Sequence, residues 1–146
     1  MTEEKKPALA GLVRAGDAQT EAIAITDFVW QVNDVSNLYL VNTSDGDVMV
    51  NTGFMDNAER NVSLMAPKRS GALKRIILTQ SHADHFGCLT EFKEADTIVI
   101  GGAGFNEAWG DMKRLQRFFG PRSKKLWGST LKRGGTPKGV KKGKRR

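Results

Sequence analysis

Cysteine is nearly absent from this chain of 146 residues, in which Cys88 is the single example. One cysteine excludes a disulfide within the chain, and it also excludes a zinc site built from several thiolates. No apolar run reaches the roughly 20 residues of a membrane-spanning helix, and residues 8–13 are too few for the core of a signal peptide. We therefore expect a cytoplasmic protein that does not enter a membrane.

Acidic residues are lacking at the carboxyl terminus, which accounts for the net charge of +7. Residues 132–146 contain eight of the 23 lysines and arginines and no aspartate or glutamate. The 15 basic residues that remain nearly balance the 16 acidic ones, so residues 1–131 are not basic as a whole. We expect a disordered tail, because it has little to bury, and only non-specific nucleic-acid binding through that tail.

Between these ends the sequence predicts a mixed α/β domain. Runs rich in β-branched and aromatic residues predict strands at 22–25, 28–32, 37–42 and 48–51. Asp45-Gly46 between the last two runs predicts a hairpin in which both residues tolerate positive φ. A helix follows, with Asp56 and Glu59 spaced as in a capping box, and Pro67 ends it.

The second part of the domain alternates strands and helices. The pattern predicts strands at 73–79 and 97–100, a short helix at 88–93, and a longer helix that starts at Phe105 and stops at Gly120-Pro121. We expect the apolar stripe of this last helix to pack against the sheet. The predicted organisation is an amino-terminal extension (1–20), a partial domain (21–131) and the tail (132–146).

The most informative segment follows the strand at 73–79. It contains His82-Ala83-Asp84-His85, with the only two histidines of the chain. Imidazole nitrogen and carboxylate oxygen together are ligands of zinc, and of iron or manganese in related sites. A solvated polar turn is the alternative, but three ligand-type side chains in one loop after a strand favour a metal site.

These residues carry a resemblance to a known family. Thr79-Gln80-Ser81-His82-Ala83-Asp84-His85 resembles the T-H-x-H-x-D-H signature of the metallo-β-lactamase superfamily. Residues 36–41 resemble its early "sN-x-Y-l-v" strand, and residues 47–53 resemble its "l-I-D-t-G" strand. Asn51 replaces the aspartate of that element, and its amide can still hydrogen-bond the neighbouring loop. The resemblance covers about residues 21–101, and residues 121–127 are similar to alkylsulfatase-like members.

The resemblance implies an αββα sandwich, of which this chain would form the amino-terminal half only. It also implies a hydrolase that uses a metal-activated water, with one or two zinc ions, or iron or manganese. His82 would bind the first metal, and Asp84 and His85 the second. Asp84 would also act in catalysis by orienting the attacking water. Gln80 occupies the position of the family's first histidine and would be a weak ligand.

Several interpretations of function stay open at this point. The family's other histidines come from the second half of its domain, and none follows His85 here. Three interpretations therefore stay open. The chain is a hydrolase whose substrate is a small-molecule ester, sulfate ester or lactam; or it is a truncated or non-catalytic remnant; or it binds nucleic acid through its tail. Half a sandwich would expose an apolar sheet face, which favours an oligomer or a covering partner. Cys88 is expected to be a buried structural residue.

Overall fold

The protein is built on one mixed sheet, and the computed structural model describes residues 16–127. The sheet has six strands in chain order. They are β1 (Ile23–Ala24), β2 (Val29–Val32), β3 (Leu38–Thr43), β4 (Gly46–Val50), β5 (Leu73–Leu78) and β6 (Ile98–Gly101). The strands β1 to β4 form an antiparallel meander, whereas β4, β5 and β6 run parallel. The predicted α/β class is confirmed.

The helices follow or connect the parallel strands. They are α1 (Ala58–Met65), α2 (Ala83–Phe86), α3 (Leu89–Phe92), α4 (Phe105–Arg114) and α5 (Gln116–Trp127). Short 3-10 turns precede and follow α1, and Pro67 lies in the second of them. Thus α1 connects β4 to β5, and α2 with α3 connects β5 to β6. None of the helices in residues 16–127 is long and apolar enough to cross a membrane.

The core lies on one face of the sheet. Alternation along β3 and β4 places Leu38, Leu40 and Met49 on this face, where each is fully buried. Helical side chains complete the cluster, namely Leu64 and Met65 of α1 and Phe92 of α3, with Phe105 of α4 packed at its margin. Every second side chain along these strands therefore packs against the helices, because successive side chains of a strand point to opposite faces of the sheet.

The opposite face of the sheet is also apolar. The strand register aligns Val29, Val41 and Val48 in one row across it, and Tyr39, Val50, Ile77 and Ile100 in the next. Ile77, Ile98 and Ile100 are between 36% and 59% exposed. The described residues thus form one sheet with helices on its core face, which corresponds to two layers of the sandwich implied by the sequence.

Two local predictions at the start of the domain were inaccurate. The hairpin is present, but Thr43 pairs with Gly46, so Ser44 and Asp45 form its turn. Of Asp45 and Gly46, only Gly46 has a positive φ, of 116°, which glycine tolerates because it has no Cβ. The capping box is absent, since the 3-10 turn makes Asn57 the first flanking residue of α1, with no side-chain cap.

The prediction for the carboxyl-terminal helices was wrong in two respects. The helix breaks at Leu115, and α5 then runs through Pro121, which bends or weakens a helix without always ending it. The apolar stripe is buried only in part, since Phe105 packs at the margin of the core and Trp109 against Phe86, whereas Leu115 and Phe119 are each 37% exposed. The described contacts of α4 include α2, where the rings of Phe105 and Trp109 pack edge-on against Phe86.

Some predictions concern residues that the structure does not describe. The basic tail (132–146) lies entirely outside the described residues, and so do residues 1–15 of the predicted extension. At the start of the described part, the Gln19 amide donates to the carbonyl of Gln31 at 3.2 Å. The proposed domain boundaries therefore stay predictions.

Candidate metal centre

The motif loop leaves the carboxyl end of β5 and is held against the end of β4. Its backbone turns into α2 at His82, which has extended φ and ψ of −78° and 145°. The amide of Thr52 donates to the carbonyl of His85 at 2.8 Å, and Gly53 forms a bridge with Phe86. Consequently the histidine-bearing loop is fixed by main-chain contacts to the neighbouring parallel strand.

Glycine is required where this loop passes closest to the chain that leaves β4. A Cβ placed on Gly87 would lie 2.6 Å from the Met55 nitrogen and 2.7 Å from the Ala83 oxygen. Both contacts are with backbone, so neither can be relieved by a side-chain rotation. On the outer side, the Phe86 ring stacks edge-on against Phe105 and Trp109, with centroids 5.6 and 4.9 Å away. The loop is thus packed on both sides.

A hydrogen-bond relay orients the imidazole of His85. Its Nδ1 lies 3.1 Å from Thr79 Oγ1, and that hydroxyl donates to Asn51 Oδ1 at 3.0 Å. Because the threonine proton goes to Asn51, the hydroxyl accepts a hydrogen bond from Nδ1–H. The lone pair of His85 is therefore on Nε2, which is how metal-binding histidines are commonly fixed by their second nitrogen.

Asn51 anchors the relay from the end of β4. It is buried and has a φ of 56°, which places it in the left-handed region. Its Oδ1 also accepts from the backbone amide of Thr79 at 3.0 Å, and the backbone amide of Asn51 donates to the carbonyl of Ile77 at 2.8 Å. The expected hydrogen bond from Asn51 to the neighbouring loop is therefore present.

Besides Gln80, the side chains of His85, Asp84 and Ser36 meet where His85 Nε2 lies. Asp84 Oδ2 lies 3.6 Å from His85 Nε2, and both groups are mostly buried, with 26% and 13% of their side chains exposed. The third side chain is Ser36, which donates to Asp84 Oδ2 and lies 2.8 Å from His85 Nε2. In the sequence, Ser36 belongs only to a strand motif, because the sequence does not reveal contacts between residues so distant along the chain.

Gln80 and His82 lie next to this group. The Gln80 Oε1 is 2.7 Å from His82 Nδ1, and the Gln80 amide nitrogen contacts His85 Nε2. Gln80 therefore joins the two histidines through its amide. Within residues 16–127, no three His, Cys, Asp or Glu side chains are grouped so that they could hold a metal ion. The structure thus brings Asp84 and His85 together and does not add His82 to them as a third ligand.

Electrostatics favour the neutral form of His85. Burial lowers the pKa of His85 below its usual value; the charge of Asp84 opposes this shift, and His82 adds to it. A neutral imidazole is the form that can donate a lone pair to a cation. Cys88 plays no such role, because burial raises the pKa of its thiol to about 12 and the thiol donates to the Phe54 carbonyl at 3.2 Å.

The Asp84 carboxylate and the His85 imidazole are of the donor types that suit a divalent cation. Two ligands of one tetrahedral zinc, at bond lengths of about 2.1 Å, lie about 3.4 Å apart. The observed separation of 3.6 Å is close to that value. The Ser36 hydroxyl contacts both groups, whereas the amide oxygen of Gln80 faces His82 Nδ1 at 2.7 Å.

Comparisons with known proteins agree with the fold. The family model described as "Metallo-beta-lactamase superfamily" matches residues 32–142. No curated protein matches the sequence. A double mutant of a sec-alkyl sulfatase has a TM-score of 0.66 and 20% identity, over 78% of this chain and 20% of that one. A stereoselective inverting sec-alkylsulfatase from Pseudomonas sp. has a TM-score of 0.58 and 20% identity, over 66% and 17% of the two chains.

A third solved structure is a metallo-beta-lactamase from Cronobacter sakazakii, with a TM-score of 0.56 and 19% identity, over 66% of this chain and 37% of that one. At such identities the likeness concerns the fold alone. The chain spans about a fifth of the length of the sec-alkyl sulfatase and just over a third of the Cronobacter protein.

Proposed function

The chain belongs to the metallo-beta-lactamase superfamily, and from this premise we propose that it is a metal-dependent hydrolase or the metal-binding part of one. The observation that carries the proposal is the convergence of His85 Nε2 and Asp84 Oδ2, 3.6 Å apart, where the loop leaves a parallel strand. The expected cation is zinc, with iron or manganese as the alternatives.

Each residue of the site has a role in this proposal. His85 offers Nε2 because the hydroxyl of Thr79 occupies Nδ1–H. Asp84 contributes its carboxylate, and it also accepts a proton or a hydrogen bond from the attacking water. When bound, the cation would supply Lewis acidity and lower the pKa of that water. The aromatic contacts of Phe86 keep α2, which carries Asp84 and His85, in place.

His82 and Gln80 would form a second and weaker position. The Gln80 oxygen lies 2.7 Å from His82 Nδ1, which leaves His82 Nε2 available, and this oxygen would have to turn from Nδ1 to join it and is a poorer donor than imidazole. We therefore expect one tightly bound ion at Asp84 and His85, and a second ion only at high metal concentration.

The substrate classes to test are taken from the descriptions of the structural relatives. A sulfate ester is the first probe, because the structures with the higher TM-scores are described as sec-alkylsulfatases. Carboxylic esters and lactams are the next probes. In each case the substrate is a small molecule with a scissile bond that a polarising cation would activate.

Metal content tests the proposal directly. Purified protein should retain metal after dialysis, and Asp84→Asn and His85→Ala should each lose it, since each removes one of the two convergent ligands. Asp96→Asn is the matched control, because Asp96 is an exposed acid outside the motif loop. Less than about a tenth of an equivalent of zinc, iron or manganese in the folded wild-type protein would refute the proposal.

A further inference from the structure

We propose that α5 binds the surface of anionic phospholipid bilayers and lies on that surface without crossing the membrane. Its 12 residues span about 18 Å, which is short of the roughly 30 Å of a bilayer core. The inference concerns a surface outside the motif loop, so it does not rest on the proposed hydrolase. It also differs from the sequence-based expectation that the basic tail binds nucleic acid.

The first argument is that the start of α5 presents apolar side chains to solvent. Phe118 is 60% exposed, and Leu115 and Phe119 are each 37% exposed. The amides of Phe118 and Phe119 both donate to the carbonyl of Leu115, at 2.9 and 3.0 Å, so the three residues belong to one helical turn. Residues spaced by three and four share a side of a helix. This apolar side of α5 is therefore left open by the rest of residues 16–127.

The second argument is the charge of the same part of the chain. Residues 113–146 contain 14 lysines and arginines and no aspartate or glutamate. Four of these cations lie in α5, and all four are exposed, namely Arg117, Arg122, Lys124 and Lys125. The salt bridges found within residues 16–127 involve none of the four. The charge of α5 is therefore complementary to a surface of phosphate groups.

The third argument is that cations flank the exposed phenylalanine. Arg122 and Lys125 follow Phe118 at spacings of four and seven, so both lie along its side of the helix. The guanidinium carbon of Arg122 is 5.8 Å from the centroid of the Phe118 ring. A guanidinium beside an apolar ring binds a headgroup phosphate while the ring enters the acyl boundary below it. This arrangement is typical of helices that lie in the bilayer interface.

The geometry of the two rings favours a bilayer over a nucleic acid, which is also anionic. The rings of Phe118 and Phe119 are 5.3 Å apart and inclined by 73° to each other. Proteins that bind single strands stack successive bases on aromatic faces. Two rings at nearly right angles do not offer two such faces to neighbouring bases. A bilayer requires only apolar area next to cations, and α5 provides both.

The experiment measures binding of the full chain to lipid vesicles by co-sedimentation. One set of vesicles contains three parts phosphatidylcholine to one part phosphatidylserine, and the other contains phosphatidylcholine alone. The variants are Phe118→Ala, and Arg122→Gln combined with Lys125→Gln. Phe28→Ala is the control for the first, because Phe28 is 49% exposed. Arg75→Gln combined with Lys93→Gln is the charge-matched control, since both residues are exposed and lie outside α5.

The wild type should bind the vesicles with phosphatidylserine at least about tenfold more tightly than the neutral ones. Phe118→Ala should lower this affinity by about tenfold, because the ring no longer enters the bilayer. A cation next to an anionic bilayer raises affinity by about fivefold, so the double charge variant should lose about 25-fold. Phe28→Ala should leave the affinity unchanged, and the charge-matched control should lower it by less than about twofold. Circular dichroism verifies that each variant is folded.

Phe118→Ala is the decisive variant, because the eight cations of residues 132–146 would attract an anionic vesicle without any help from α5. Binding through charge alone would not respond to the loss of a neutral ring. The inference is overturned if Phe118→Ala binds as the wild type does, or if the charge-matched control loses as much affinity as the α5 charge variant. It is also overturned if the wild type does not distinguish the two kinds of vesicle.

A single-stranded oligonucleotide, followed by fluorescence anisotropy, distinguishes the other anionic partner. Phe118→Ala should leave the oligonucleotide affinity unchanged while it lowers the vesicle affinity. The opposite pattern, with oligonucleotide affinity lowered by about tenfold and vesicle affinity unchanged, would show that α5 is a nucleic-acid surface and would overturn the inference.

Discussion

Replacing Asp34 by asparagine should cost this protein much of its stability. The substitution preserves shape but exchanges one carboxylate oxygen for an NH2 group. Each oxygen of Asp34 accepts two N–H groups, at distances of 2.5 to 2.8 Å. In either orientation of the new amide, its NH2 group faces two donors, and two charge-assisted hydrogen bonds are lost.

The magnitude follows from those contacts. Hydrogen bonds to a charged group contribute about 1.5–3 kcal/mol each, so the loss is about 3–6 kcal/mol of the free energy of unfolding. That is a large part of the 5–15 kcal/mol typical of a whole domain. The melting temperature should fall by about 12 °C or more, at about 4 °C per kcal/mol for a domain of about 100 residues.

Urea unfolding followed by tryptophan fluorescence and circular dichroism measures this loss, with Asp96→Asn as the exposed control. The reasoning would be refuted by a decrease of less than about 1 kcal/mol in Asp34→Asn, because that is the size of one ordinary hydrogen bond. A loss of equal size in the control would show that the effect is not specific to the buried carboxylate.

Three further predictions follow from the same contacts. Thr79→Val should reduce metal affinity by about tenfold or more, because the Nδ1 partner of His85 is removed, and Thr79→Ser should restore it; titration calorimetry measures both. Burial raises the pKa of Asp47, but hydrogen bonds from Asn42, Ser70, Gly71 and Arg69 outweigh it and hold the pKa below 3.8. This carboxylate therefore stabilises the fold above pH 3.8 and loses that contribution as the pH falls further. Arg69→Met should make the free energy of unfolding depend less steeply on pH. Urea unfolding at a series of pH values between 2 and 6 measures this dependence. Cys88 should react with a thiol reagent only on unfolding, since burial raises its pKa to about 12; rapid labelling of the native protein would contradict this.

The strands and the motif loop were predictable because their signals are local. Alternation in residues 37–42 and 48–51 reflects a sheet with one buried face, and the apolar run at 73–78 reflects a strand in the parallel part of the sheet. His82, Asp84 and His85 could be nominated because one short loop holds all three. The structure then differentiates among them, by bringing Asp84 and His85 together and linking His82 through Gln80.

The contacts that complete the site were not predictable, since they join residues distant in the chain. Ser36 reaches Asp84 and His85 across 48 and 49 positions, and Asp34 reaches Asn61 across 27. The pattern of apolar residues along the sequence does not reveal contacts between residues so far apart. The burial of the α4 stripe was mispredicted for a related reason, because a pattern shows which face is apolar but not whether a sheet lies opposite it.

The backbone conformation at Asn51 restricts which residues can occupy this position. A φ of 56° disfavours β-branched and bulky side chains, while the relay to Thr79 needs a short side chain with an oxygen acceptor. Glycine would tolerate the conformation but offers no acceptor, and serine has an acceptor but rarely adopts this conformation. Only asparagine and aspartate meet both demands, so an exchange between them changes the charge behind His85 while leaving the shape of the site intact.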